Sequence, residues 1–308
     1  MGTPEFAMPS LIALLDKGYD VCAVVTQPDK AKGRGNKVNM SPVKAFALKR
    51  GIKVLQPKSA KSSEFALELK DLSVDLFVTV AYGKILSKMV LEIPILGCIN
   101  VHGSLLPRYR GAGPIQWSLI KGEGKTGITT MFTDVGMDTG DMLLSESLEI
   151  DPDMNSGELH DVLKEMGARV LIDTLRVLEE GGLKPIPQKN EEASYAPMMQ
   201  KETGKIIWKQ SCKDIHNLVR GVNPWPGAYT SYCNEKMRIW KTNILDMATD
   251  KEVPGKILKV SKDGIVVATL DFAINISEIQ FDGGKRMKVS QYLCGHRIHD
   301  GEELGEED

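Results

Sequence analysis

The chain has 308 residues, 42% hydrophobic and 26% charged, with a formal net charge of −2 at pH 7. That is enough for two ordinary domains and excludes a disordered or fibrous chain. No apolar run approaches the roughly 18 residues of a membrane-spanning helix and no basic-then-apolar leader opens the chain, so a cytoplasmic location is expected; five cysteines with no CxxC pair argue against a disulfide framework and a zinc site.

The first two-thirds alternate helix and strand signals. "MPSLIALLDKG" (8–18) has apolar residues at helical spacing and stops at a glycine, and "YDVCAVVTQ" (19–27) reads as a buried strand. "SPVKAFALKRG" (41–51) starts with Ser then Pro and predicts a helix; "IKVLQP" predicts a short strand and "SSEFALELKDL" a helix. "VDLFVTVAYG" (74–83) is nearly continuous apolar strand, as in a sheet covered on both faces. Then come strand "GCINVHGS", helix "GPIQWSLIKGE", strand 126–134, an extended segment 141–151 and a long amphipathic helix 156–182. This order predicts an α/β domain with a Rossmann-like, parallel-rich sheet over residues 1–188.

From Leu183 the periodicity stops, and 189–203 reads as a linker. Beyond it, "SCKDIHNLVRGV" predicts a helix, and short alternating strands follow with a hairpin signal at Lys262-Asp263-Gly264. Residues 204–308 are therefore expected to form a small OB-like β-barrel. The final "KVSQYLCGHRI" reads as helical, with His296 and His299 on one face.

Charge is unevenly spread. Residues 30–61 hold ten basic side chains and no acidic one, and 200–299 hold 16 Lys and Arg against 10 Asp and Glu. Six acids in the tail 300–308 hide that excess. Two basic regions suit a polyanion such as nucleic acid; the alternative is two solvated faces and a frayed tail.

Asn100 and His102 are two apart on one strand, so they project to the same side. They lie near the carboxyl end of the strand, where open α/β sheets bind ligands. Pro107 and several glycines then constrain the following loop, and "DVGMDTGD" carries Asp134, Asp138 and Asp141 on a second loop. Asn, His and Asp without a nucleophile suit acyl transfer onto an amine supplied by the substrate. The amide would hold the developing oxyanion, the imidazole would take and return the proton, and the carboxylate would support the imidazole. Each element also has a structural alternative. The Asn-x-His pair can be a satisfied buried pair, and the three aspartates can be turn formers or a Mg²⁺ site. Cys98 reads as a small buried side chain rather than a thiol nucleophile, Trp225 as a packed turn rather than a base-stacking residue, and His160 and His216 as structural. "MGTPEF" carries one glycine, so it is neither a GxGxxG fingerprint nor a P-loop.

"INVHGSLLPRYRGAGPIQWSLIKGE" together with "TGITTMFTDVGMDTGDML" resembles the formyltetrahydrofolate-dependent formyltransferases. "GTPEFAMPSLIALL", "TQPDKAKGRGNKV", "VTVAYGKIL" and "VNPWPGAY" are similar to the branch of that family that acts on methionyl-tRNA. The resemblance covers nearly the whole chain. It implies transfer of a formyl group from 10-formyltetrahydrofolate to the amine of methionine on initiator tRNA. It also implies catalytic Asn100, His102 and Asp138, a folate-binding segment Ser104, Leu105, Leu106 and Pro107, and a tRNA-binding basic loop with Arg34, Lys32 and Lys37. No metal, no membrane and a monomer are expected. Two rivals remain: a relative that formylates a small amine or hydrolyses the folate, and a catalytically dead RNA-binding protein. The family begins with a short apolar strand ahead of the Gly-Thr-Pro turn, whereas this sequence starts at that turn. Such a strand, at roughly 1.5–3 kcal/mol per buried apolar side chain, would rival the ~5–15 kcal/mol stability of a domain, so an apolar segment upstream is expected.

Overall fold

The computed structural model describes residues 1–32 and 37–305. Its elements follow in chain order. The first unit opens with α1 (Met8–Asp16), β1 (Ala23–Val25), β2 (Lys30–Lys32) and β3 (Lys37–Asn39). After these come α2 (Pro42–Lys49), β4 (Lys53–Leu55), α3 (Ser63–Lys70), β5 (Phe77–Val80) and α4 (Lys88–Leu91). The expected helix starts are real caps: the Ser41 hydroxyl accepts from Lys44 N ahead of Pro42, and the Ser62 hydroxyl accepts from Phe65 N. Next are β6 (Cys98–His102), β7 (Arg110–Gly111), α5 (Pro114–Ile120), β8 (Lys125–Phe132), β9 (Met142–Glu149), α6 (Ser156–Glu179) and β10 (Tyr195–Ala196). Then follow α7 (Cys212–Gly221), β11 (Ala228–Tyr232), β12 (Glu235–Ala248), β13 (Ile257–Ser261), β14 (Gly264–Ala268), β15 (Phe272–Phe281), β16 (Met287–Lys288) and α8 (Val289–Tyr292).

The chain divides into two compact units. One holds residues 1–114, 125–149 and 160–197; the other holds 115–124, 150–159 and 198–308. In the first unit β1 pairs β4 in parallel and β5 pairs β6 in parallel, whereas β8 runs antiparallel to β6 and β9 antiparallel to β8. The sheet is thus parallel-rich at its start and antiparallel at its far edge. Met1 and Gly2 bridge its two parallel pairs: Gly2 N donates to Val25 O at 2.9 Å and Val80 N to Met1 O at 2.9 Å. A cleft of about 410 Å³ lies between β1 and β5, lined by Leu11, Val25, Val43, Leu69, Phe77 and Leu175 among others. Burial there pushes the Met1 amine down to about 6. β5, whose sequence reads as nearly continuous apolar strand, buries Phe77, Thr79 and Val80, and β6 beside it buries Ile99 and Val101.

The second unit is an antiparallel sheet in the order β11-β12-β15-β14-β13, with β16 on β15. Its core gathers Ile239, Ile257, Ile265, Val267, Ile274 and Ile276 with Val219 and Val222 of the α7 region. One expectation, and one alternative reading, fail here. The final helix is only one turn, so His296 and His299 share no helical face; His296 folds back and stacks on Tyr292 at 4.4 Å. The acidic tail is not frayed as far as Gly305. Gly301 N donates to Ile257 O at 2.7 Å, Ile257 N to Glu302 O at 2.7 Å and Leu304 N to Gly255 O at 2.9 Å, and the Tyr232 hydroxyl binds the Glu302 carboxylate. The tail covers an open strand edge that would otherwise expose backbone donors and acceptors. Among the described residues, no helix is long and apolar enough to cross a membrane.

Candidate active site

β6 presents Asn100 and His102 on one side, as their spacing demands. Thr79 lies opposite Asn100 in the parallel register of β5, and its hydroxyl donates to Asn100 Oδ1 at 2.9 Å. In this arrangement the carboxamide oxygen is used, and the Nδ2 group is left to donate elsewhere. His102 is only 6% exposed. Its Nε2 sits 2.9 Å from Tyr109 O. A carbonyl oxygen only accepts, so Nε2 carries a hydrogen and Nδ1 is the nitrogen left to take and return a proton. Nδ1 faces Asp138 Oδ2 at 3.6 Å.

Asp138 is held from two sides. Its Oδ2 accepts from Gly111 N at 2.8 Å, and its own backbone is left-handed, φ +54°. Gly111 must be glycine. Its φ is +114°, and a Cβ there would sit 2.7 Å from Ala196 O. Asn100, His102 and Asp138, expected to act together, are therefore linked within this unit. Asn100 and His102 share a strand face, and His102 Nδ1 faces the Asp138 carboxylate.

Asp134 has structural work. Asp134 Oδ1 accepts from Gly136 N at 3.0 Å and from Thr139 Oγ1 at 2.7 Å, an Asx-type turn. Among the described residues, no cluster of three His, Cys, Asp or Glu side chains could hold a metal ion. Cys98 is buried, and burial pushes its thiol up, away from the thiolate form a nucleophile needs.

The segment 104–107 is a rigid turn. Ser104 is fully buried and its hydroxyl donates to Arg108 O at 2.6 Å. Thr129 Oγ1 donates to Ser104 O at 2.8 Å and accepts from Leu106 N at 3.1 Å. Leu105 packs over Gly127, where a Cβ would meet it at 2.8 Å. Leu106 is buried, while Leu105 and Pro107 keep exposed surface. Sequence reasoning missed Thr79, Thr129 and Tyr109, which set the orientation of the others. Only their places on strands opposite or beside the motif could have flagged them.

The backbones of Lys32 and Lys37 are register partners in the antiparallel β2–β3 pair, whose connection, including Arg34, lies outside the described residues. Asp29 anchors the start of this hairpin. Its carboxylate binds Lys44 Nζ at 2.5 Å and Gln56 Nε2 at 3.0 Å, contacts that hold it below the usual carboxylate range. In the second unit, Trp225 is 54% exposed rather than packed in its turn. His160 packs against Phe6 with the rings tilted at 60° and His216 hydrogen-bonds Thr242, as structural histidines do.

Comparison with known proteins adds a family dimension. The profile described as "Formyl transferase" matches residues 1–175, and "Formyl transferase, C-terminal domain" matches 198–297. The chain is 56% identical over 306 residues to the methionyl-tRNA formyltransferase of Acetivibrio thermocellus, covering 99% of this chain and 98% of that protein. It is 58% identical, with the same coverage, to that of Ruminiclostridium cellulolyticum. Among solved structures, the sugar 3N-formyl transferase WlaRD, determined with dTDP and 5-N-formyl-THF, superposes with a TM-score of 0.68 at 18% identity, covering 92% of this chain and 97% of that one.

Proposed function

This chain belongs to the formyl transferase family, and from that premise we propose that it moves the formyl group of 10-formyltetrahydrofolate onto the α-amine of methionyl initiator tRNA, for translation initiation. The observation that carries this reading is the near-full-length identity to methionyl-tRNA formyltransferases, above one-half in both chains compared. The Asn100–His102–Asp138 arrangement supplies the chemistry.

The amine nitrogen attacks the formyl carbon, and the carbonyl electron pair moves onto oxygen. Asn100 Nδ2, freed by the Thr79 bond to Oδ1, donates to that oxyanion, a contact whose loss costs about 3–4 kcal/mol in other acyl-transfer sites. His102 Nδ1 takes the proton the amine loses, with Asp138 beside it to support the charged ring. The tetrahedral species collapses, the bond to N10 of the folate breaks, and the proton passes to that nitrogen. No protein nucleophile is needed.

The folate segment divides by exposure. Leu105 and Pro107 offer surface to the pterin, while Ser104 and Leu106 hold the turn. Lys32, Arg34 and Lys37 meet tRNA phosphates, so binding weakens as salt rises. Initiator tRNA and the folate are the partners, and the cytoplasm is where both are met. A relative acting on a small amine would have no use for the basic hairpin or the second domain.

The test is transfer of labelled formyl from 10-formyltetrahydrofolate to initiator methionyl-tRNA, to elongator methionyl-tRNA and to an amino-sugar nucleotide. Formylation of the initiator far above the other two is expected. Preference for the small amine, or no transfer at all, would overturn the reading. Arg34→Ala should weaken engagement of the tRNA and spare folate binding.

A further inference from the structure

Arg110 is a puzzle left by the site. It is 2% exposed, its Nη2 has no hydrogen-bond partner, and no carboxylate pairs with it among the described residues. Burying an uncompensated charge is costly. Its remaining bonds are to neutral amides: Nε donates to Gln188 Oε1 at 2.9 Å and Nη1 to Asn190 Oδ1 at 3.1 Å.

Gln188 uses both ends of its carboxamide. A guanidinium only donates, so Arg110 fixes the oxygen end. The Nε2 end then donates to Asp138 O at 2.9 Å and to Gly140 O at 2.7 Å. Those two carbonyls belong to the turn that holds Asp138 in a left-handed conformation, at φ +54°. A residue with a Cβ adopts that conformation only at a steric cost, so something must hold it there. Arg110 is also the residue before Gly111, whose N–H grips the Asp138 carboxylate. Asp138 is thus tied by its backbone to Gln188 and by its side chain to Gly111, and Arg110 connects the two.

We propose that Gln188, oriented by Arg110, is a positioning residue for the Asp138–His102 pair: it clamps the Asp138 turn so that the carboxylate stays against Gly111 N and the imidazole. The inference rests on the reading of that pair as the proton-handling unit. It assigns a role in turnover to a residue outside both signature loops.

The experiment is steady-state kinetics with both substrates on Gln188→Ala, Gln188→Glu, Lys189→Ala and Asp138→Asn, together with the exchange rate of the Gly111 amide proton. Gln188→Glu keeps an acceptor for Arg110 but sets oxygen against the Asp138 and Gly140 carbonyls. Both Gln188 variants should lower kcat about tenfold or more, since small misplacements near the reacting groups have effects of that size. KM for folate and tRNA should stay within about twofold, and Gly111 N–H should exchange faster. Lys189→Ala, on an exposed side chain of the same segment, should behave as the parent. A Gln188→Glu enzyme with parental kcat overturns the inference, and so does a loss confined to KM with Gly111 protection unchanged. If Asp138→Asn is itself fully active, the reading of the pair falls first and takes the clamp with it. If Asp138→Asn is inactive while Gln188→Ala is not, the clamp alone falls.

Discussion

The loops around His102 and the core of the second unit hold their residues in place by opposite means. Around the site, side chains and backbone trade hydrogen bonds: Ser104 to Arg108 O, Thr129 to Ser104 O and Leu106 N, Gly111 N to Asp138, and Gln188 to Asp138 O and Gly140 O. In the second unit, Ile257, Ile265, Ile274 and Ile276 are fully buried and the sheet is set by apolar packing. Directional bonds fix groups to within tenths of an ångström but contribute little net stability, about 1 kcal/mol each. Apolar packing contributes more stability and tolerates small shifts. Substitutions in the two regions should therefore fail in different ways.

The largest effect is expected at His102. His102→Ala should cut kcat by roughly 10²–10⁴-fold, the usual reach of a general acid–base group, while thermal melting and tRNA binding stay close to the parent. A folding defect that tracks the activity loss would collapse the distinction between the two regions. Conversely, Ile276→Ala empties space in the second core and should cost about 2–5 kcal/mol in denaturation. Its surviving folded fraction should turn over at the parental kcat. A smaller effect, about tenfold on kcat, is expected for Thr79→Val, which keeps the shape but strips Asn100 Oδ1 of its donor. Stability should change by no more than about 1–2 kcal/mol, which separates a turned carboxamide from a damaged sheet.

The sequence carried these regions unequally. Asn100 and His102 were legible because a strand's two-residue repeat puts them on one side, and the Ser-Pro and Ser caps of α2 and α3 were legible because capping chemistry is local. By residue pattern alone Asp138 is one of three similar aspartates, and only the family resemblance singles it out. What distinguishes it from Asp134 is the long-range bond to Gly111 N, which no local pattern encodes. Gln188 and Ser194 sit in a stretch without period, and period is what pattern reading detects. Their partners, Asp138 and Tyr109, are 50 and 85 residues away in sequence. The one-turn α8 misled for a different reason: apolar residues at helical spacing after Val289 pack on the sheet through Tyr292 and Leu293, and the chain then leaves the helix.

The smallest effect joins the two modes within the second unit. Asp271 Oδ1 accepts from Cys212 N at 2.8 Å, Phe272 N at 2.8 Å and Thr269 Oγ1 at 3.0 Å, so a carboxylate sits at the start of α7. Burial opposes its ionisation, but the bonds from Cys212 N, Phe272 N and Thr269 outweigh it and hold the carboxyl below the usual range. A depressed folded pKa contributes stability above the unfolded value of about 3.9, and that contribution is lost as pH falls through the folded value. Asp271→Asn keeps an oxygen that can accept all three bonds but removes the charge, which also favours a helix N-terminus. The variant should be less stable than the parent by about 1 kcal/mol at pH 7, the difference between a charge-assisted and a neutral acceptor. In urea denaturation the two curves should converge as pH is lowered below the usual carboxylate range, because the parent alone loses its charge. A gap that stays constant over that range would mean that Asp271 acts through shape, and that the second unit depends on packing alone.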